Sequence, residues 1–399
     1  MKKKFFAMVL TLAMVLSLAA CGGNDTASDD TASTDSATEE DAGSASGAAF
    51  KIGTIGPLTG DTAIYGTAVA NGAKIAVDEI NAAGGDIQFE IKSEDDVADG
   101  ETSVNAYNTL MDWGMQLLVG PTTTGAAVAV SSVVNSDRTF MLTPSASSTD
   151  VIDGKDNVFQ VCFTDPNQGT GAADYIAENM PDAKVYVLYQ NDSAYSQGIR
   201  DTFVAEAEVK GVNVVDEGTF TKDTATDFSV QLTAAQTAGA DTLFLPFYYQ
   251  EASVVLNQAS QMGYAPTFFG VDGMDGILTL ENFDTSLAEG VMLLTPFSAD
   301  ADDERTQTFV KTYQEQFGET PNQFAADAYD AVYILKAALE AAGCTPDMSA
   351  ADICEALIPV MPTLSVDGLT GAGMTWDASG AVSKAPMAVV IENGAYVLP

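Results

Sequence analysis

Residues Phe50 to Gly85 read FKIGTIGPLTGDTAIYGTAVANGAKIAVDEINAAGG, and the change of period inside that stretch constrains the fold more than any other feature of the chain. Phe50 to Gly56 is a short apolar run closed by Gly-Pro, the mark of a buried strand. Beyond a polar turn, Val69, Gly72, Ala76 and Ile80 recur at helical spacing, so one face of a helix is small and apolar. Gly84 and Gly85 end it. A strand, a Gly/Thr loop and a packed helix form a βα unit. Its loop falls at the carboxyl end of the strand, where open parallel sheets bind ligands.

The alternation then continues. Strands are predicted at Ile87 to Ser93, Gln116 to Val119 and Arg138 to Thr143, with helices at Gly100 to Trp113 and Gly125 to Asn135. Near Thr164 the series restarts with helices Gly169 to Asn179, Ser196 to Val209, Asp227 to Ala238 and Glu251 to Met262. The strands between and after them are Lys184 to Tyr189, Val212 to Asp216, Asp241 to Pro246 and Thr267 to Gly270. Val291 to Thr295 is apolar and is followed by helices Arg305 to Phe317, Asn322 to Ala341 and Ala350 to Pro359. The middle one turns Phe324, Ala328, Ala331, Leu335 and Ala338 inward. The chain closes on β segments, Met387 to Glu392 and Ala395 to Leu398. Such alternation implies an α/β protein with two mainly parallel sheets flanked by helices.

Lys2, Lys3 and Lys4 precede an apolar run from Phe5 to Ala20, the charged and hydrophobic regions of a signal peptide spanning residues 1–20. Leu18-Ala19-Ala20-Cys21-Gly22 resembles a lipoprotein-processing box, which implies acylation of Cys21 and anchoring by burial of its acyl chains. Asn24 to Ala48 holds only Asn, Asp, Thr, Ala, Ser, Glu and Gly, too polar to order itself. Residues 21–48 are therefore expected to form a lipidated, acidic tether, with a reach of roughly 25 to 30 Å for about 25 residues.

Charge and composition exclude several classes. With 16 basic against 56 acidic residues the net charge is −40, which argues against a nucleic-acid partner. The chain has no histidine. Ser/His/Asp and Cys/His nucleophile systems and His-ligated metals are thereby excluded, and no CxxC pair offers a cysteine metal site. Gly169-Thr170-Gly171 is only a fragment of a dinucleotide fingerprint, so no cofactor is expected. Asp95-Asp96 reads as a solvated or helix-capping pair rather than an acid/base couple. Cys162 sits in an apolar run and reads as a buried small hydrophobe. An exported location allows Cys344 and Cys354 to pair, but the sequence leaves open whether they form a disulfide or remain thiols.

Hydroxyls, aromatics and one acid follow the predicted strands. Thr122, Thr123 and Thr124 come after the strand ending at Val119, and Ser145, Ala146 and Ser147 after the one ending at Thr143. Hydroxyls beside a helix amino terminus can hold a carboxylate without a basic residue.

The wording of these segments is also similar to a known family. Gly56-Pro57-Leu58-Thr59-Gly60, Glu79-Ile80-Asn81-Ala82-Ala83-Gly84-Gly85, Gly120-Pro121, Pro144-Ser145-Ala146-Ser147, Thr164-Asp165-Pro166-Asn167-Gln168-Gly169, Phe244 to Glu251 and Gly270-Val271-Asp272-Gly273 resemble, in the same order, the branched-chain amino-acid (Leu/Ile/Val) receptors of ABC importers. The resemblance implies a type I periplasmic-binding-protein architecture, two Rossmann-like lobes joined by a three-segment hinge. It places lobe I at 49–165 plus 296–384 and lobe II at 166–295 plus 385–399. Hinge closure around a ligand is what this architecture allows.

The same resemblance implies the site. Ser145, Ala146, Ser147 and Thr122 to Thr124 would grip a ligand carboxylate, and Asp272 would take the α-ammonium. Tyr65, Tyr195, Tyr248 and Tyr249 would line the cleft, with the choice between Tyr248 and Tyr249 open. Phe247 stands where a small residue is common, which leaves the side-chain pocket undefined. The implied protein is a monomeric, non-enzymatic receptor on the outer face of the cell membrane, carrying a small amino acid to an ABC permease. A same-fold receptor for an amide, urea or aromatic acid, and a ligand-sensing component, remain open alternatives.

Overall fold

A computed structural model describes residues 48–398. The predicted leader, Cys21 and most of the tether lie outside the described residues. The first lobe starts with β1 (Phe50–Gly56), α1 (Ala63–Ala83), β2 (Phe89–Asp95), α2 (Gly100–Trp113), β3 (Leu117–Val119), α3 (Thr124–Asp137), β4 (Phe140–Thr143) and β5 (Val158–Gln160). Its five strands are parallel in the order β2-β1-β3-β4-β5. The second lobe follows with α4 (Asp165–Asn179), β6 (Lys184–Gln190), α5 (Ala194–Lys210), β7 (Asn213–Phe220), α6 (Ser229–Ala238), β8 (Thr242–Leu245), α7 (Tyr249–Gln261), β9 (Thr267–Gly270) and β10 (Met292–Thr295). Helices α8 (Glu304–Phe317), α9 (Gln323–Ala342) and α10 (Ala350–Leu357) return to the first lobe, and β11 (Met387–Glu392) and β12 (Ala395–Val397) complete the second sheet. That sheet runs β12-β11-β10-β9-β8-β6-β7, with β11 antiparallel to both of its neighbours, β10 and β12.

Both sheets reverse strand order once, at β1/β3 in the first and at β6/β8 in the second. Loops on either side of such a reversal diverge, so each sheet opens a crevice at the carboxyl ends of its strands. The chain changes sheet after β5, after β10 and before β11.

Local chemistry explains where the elements start. Helix α4 begins four residues earlier than periodicity indicates. Thr164 and Asn167 form a reciprocal capping box, and Pro166 occupies the first turn where its missing N–H is harmless. Asp303, Asn322 and Ser349 cap α8, α9 and α10 by accepting from main-chain N–H groups three residues on. Gly72 on α1 explains the small face seen in the sequence. A Cβ there would lie 2.0 Å from the Ala325 carbonyl oxygen, so α1 and α9 touch backbone to backbone.

Phe324, Ala328, Ala331, Leu335 and Ala338 of α9 are all buried. Cys162, Cys344 and Cys354 are buried and form no disulfide among the described residues. The segment between β9 and β10, which shows no period in the sequence, folds as three short 3-10 turns.

Candidate functional site

The first lobe builds one wall from three strand ends. After β3, the Thr122 N–H and hydroxyl both donate to the Ile55 carbonyl, at 3.1 and 3.3 Å, which ties this loop to β1. The Ser145 hydroxyl, after β4, donates to the Thr122 carbonyl at 2.6 Å. Thr123 and Thr124 open α3, and their buried Oγ1 atoms have no hydrogen-bond partner among the described residues. An orphaned buried hydroxyl costs stability unless something else satisfies it. Two of them at the amino terminus of a fourteen-residue helix present donors where the helix field also favours an anion.

The second lobe supplies the acid. Asp272 follows β9 and is 3% exposed. Its N–H donates to Gln168 Oε1 at 3.0 Å, and its carboxylate accepts from the Tyr195 hydroxyl at 2.5 Å. Burial pushes the carboxyl up to about 7, although hydrogen bonds from Tyr195 and Gln168 oppose the rise. Burial also pushes the neighbouring Asp165 carboxyl well above its ordinary value.

Aromatic rings join the walls. Tyr195 and Tyr248 stack with centroids 4.9 Å apart, and Tyr65 meets Tyr248 edge-on at 5.4 Å and Phe324 at 4.6 Å. Tyr65 belongs to the first lobe, yet its hydroxyl donates to the Gly273 carbonyl of the second. Gln323, at the start of α9, adds two more links. Its side chain donates to the Asp272 carbonyl at 3.2 Å and its N–H to Asp275 Oδ2 at 2.9 Å. The lobes are therefore latched together over the site. The enclosed space is only about 10 Å3, so admitting an amino acid requires the walls to move apart.

The lining brings together Tyr65, Thr122, Thr123, Thr124, Ser145, Tyr195, Tyr248 and Asp272, along with Gly273 and Phe324. Ala146, Ser147 and Tyr249 stand outside it. The Ala146 carbonyl accepts from Gln160 Nε2 at 2.7 Å, and Ser147 faces α4, where its Oγ accepts from Gln168 Nε2 at 3.4 Å. Tyr249 packs on Tyr65 at 4.9 Å and donates its hydroxyl to the Asp61 carbonyl at 2.7 Å. Phe247 also turns away, meeting Phe220 edge-on at 5.0 Å in the core of the second lobe. Sequence reasoning missed Gly273, Phe324 and the supporting Gln168 and Gln323. Phe324 could not be singled out because its position is that of an ordinary inward residue of an apolar helix.

A model of the family described as periplasmic binding protein matches residues 49–395. The chain belongs to that family. Among curated relatives of this periplasmic binding protein, Leu/Ile/Val-binding protein homolog 3 of Brucella melitensis is 32% identical over 303 residues, covering 75% of this chain and 81% of the relative. Among solved structures, the branched-chain amino acid transporter substrate binding protein LivJ from Streptococcus pneumoniae, in complex with isoleucine, superposes with a TM-score of 0.77 at 29% identity. That match covers 88% of this chain and all of LivJ (100%). A solute binding protein from R. palustris in complex with benzoate shares the fold, with a TM-score of 0.77 at 19% identity over 88% of this chain and 95% of that one. This periplasmic binding protein thus belongs to a family of non-enzymatic solute receptors, and that family implies an extracytoplasmic location.

Proposed function

We propose that the protein is a lipid-anchored receptor that encloses a small aliphatic amino acid, of the branched-chain type, between its lobes and delivers it to an ABC permease. One observation carries the reading. Neutral donors at the start of α3 stand on one wall, a single buried acid on the other, and no Lys or Arg lies in the lining between them. A zwitterion answers both walls at once, its carboxylate meeting Thr122 to Thr124 and Ser145 and its ammonium meeting Asp272 and the tyrosine faces. Because these walls belong to different lobes, a bound amino acid favours the closed form over the open one. The names of the relatives support the same ligand class.

In this proposal lobe I comprises residues 49–165 and 296–384, lobe II residues 166–295 and 385–399, and Cys21 carries the lipid. A Cys21→Ser variant should leave the membrane fraction, and retention there would remove the anchor from the proposal.

The ligand is tested by a thermal-shift screen against the proteinogenic amino acids, with urea, short amides and benzoates included. A ligand at about a hundred times its dissociation constant stabilises the fold by roughly 2.7 kcal/mol. A shift confined to Leu, Ile, Val or a similar aliphatic set is expected. Silence from every amino acid with a clear response to benzoate would overturn the assignment of Asp272.

A further inference from the structure

A second cavity, of about 600 Å3, lies between the two lobes and shares no lining residue with the cleft site. Its first-lobe walls are the opening turns of α1, Tyr313 of α8 and the segment leading into α9. Its second-lobe walls are Asp275 to Thr279 and the turn between β11 and β12, and Phe297 to Asp300 cross between them. The volume suits a small-molecule site.

The chemistry of the walls is one-sided. Asp275, Asp300 and Glu319 are the charged lining residues, and none of the others is Lys or Arg. Asp275 is the decisive one, at 3% exposure. Its Oδ2 accepts from the Gln323 N–H at 2.9 Å, while its buried Oδ1 has no well-aligned hydrogen-bond partner among the described residues. The Tyr396 hydroxyl beside it accepts from the Gly276 N–H at 3.3 Å and eases the charge on Asp275 by hydrogen bonding, but a neutral phenol supplies no countercharge, and burial still holds the carboxyl above its ordinary value. A buried acid at the wall of a cavity whose lining holds no Lys or Arg calls for a cation. Around it, Ile64, Leu278 and Phe297 offer apolar surface, and Tyr313 adds an aromatic ring.

We propose that this cavity is a second ligand site, distinct from the amino-acid cleft, that takes an organic ammonium ion with an apolar body and pairs it with Asp275. Its walls come from both lobes, so its occupant is held best when the lobes are together.

Phenethylammonium is the probe, titrated calorimetrically into the whole protein at neutral pH, with 2-phenylethanol and phenylacetate as uncharged and anionic controls. Binding at one site is expected, with both controls at least tenfold weaker. Asp275→Asn should weaken the amine at least tenfold while Asp272→Asn changes it less than twofold. Thr67→Trp, which pushes bulk into the cavity from the partly exposed face of α1, should block it as well, and this variant decides the matter if Asp275→Asn fails to fold. No binding at millimolar amine overturns the proposal. So does a loss caused by Asp272→Asn rather than by the cavity variants, or equal binding of phenylacetate.

Discussion

The Tyr195 hydroxyl donates to the Asp272 carboxylate at 2.5 Å, and both side chains are buried at the junction of the lobes. The pair fixes where a positive charge can be received, because Tyr195 orients one carboxylate oxygen and the Gly273 N–H, donating to the Tyr195 hydroxyl at 3.0 Å, holds the ring in place. It also sets a pH dependence. In this closed form the Asp272 carboxyl titrates at about 7 because burial disfavours its charge, whereas the unfolded chain releases that proton near 3.8. The folded state thus binds the extra proton between those values, and Asp272 makes the unliganded protein less stable as pH rises through that window.

Ligand binding should follow the opposite trend. An ammonium needs the ionised carboxylate, so affinity should climb roughly tenfold per pH unit below about 7 and level off above it. Calorimetry in buffers of different ionisation enthalpy would detect the proton released on binding at pH 6. Asp272→Asn should remove both the proton release and the pH dependence, with an affinity loss of roughly 2 to 5 kcal/mol. A flat profile for the unaltered protein would place the ammonium elsewhere.

Thr124 offers a test on the other wall. Its Oγ1 is buried and has no partner among the described residues, so Thr124→Val keeps the shape and removes a group that no neighbouring side chain or backbone satisfies. Chemical denaturation should show unchanged or slightly higher stability. Ligand affinity should fall by roughly 1.5 to 3 kcal/mol, the worth of a hydrogen bond to a charged group. Equal affinity would mean that Thr124 takes no part in holding the carboxylate.

Much of this arrangement was legible in the residues themselves. The βα period of Phe50 to Gly85 located β1, α1 and the loop between them, and turn residues after apolar runs located Thr122 to Thr124, Ser145 and Asp272. What stayed hidden depended on contacts distant in sequence. Tyr248 and Tyr249 are adjacent, and only the start of α7 decides that the first lines the cleft while the second packs on Tyr65. Ser147 lies two residues beyond Ser145, yet α4 claims it through Gln168, 21 positions away. Phe324 and Gln323 enter the site only because α9 packs on α1, which no local pattern states.

That packing makes Gly72 a sharp position. An alanine Cβ would sit 2.0 Å from the Ala325 carbonyl oxygen, and backbone cannot give way as a side-chain end can. Gly72→Ala should cost about 1 to 3 kcal/mol in urea unfolding, the usual scale of overpacking. Gly125→Ala is the control, since nothing lies within 4 Å of the added carbon and a helical Gly→Ala change is worth roughly 0.4 to 1 kcal/mol of added stability. Because α9 carries Phe324 and Gln323, Gly72→Ala should also weaken ligand binding. An unperturbed variant would mean that α1 and α9 can separate freely.

The last chain passage between the sheets is pinned by an ion pair. Lys384 Nζ lies 2.7 Å from Asp327 Oδ1 on α9, with both side chains 2% exposed, and also donates to Thr370 Oγ1 at 2.5 Å. Burial raises the Asp327 carboxyl and the Lys384 charge opposes that rise. Lys384→Met removes the countercharge and leaves the acid buried alone, which should cost about 3 to 5 kcal/mol. Adding Asp327→Leu should recover most of that loss, because an apolar pair of similar volume needs no desolvation to be offset. Urea midpoints of the single and double variants decide between this and a merely steric role, in which the second substitution would add to the damage. A regained fold with weakened ligand affinity would further indicate that the pair sets the relative position of the lobes as well as their stability.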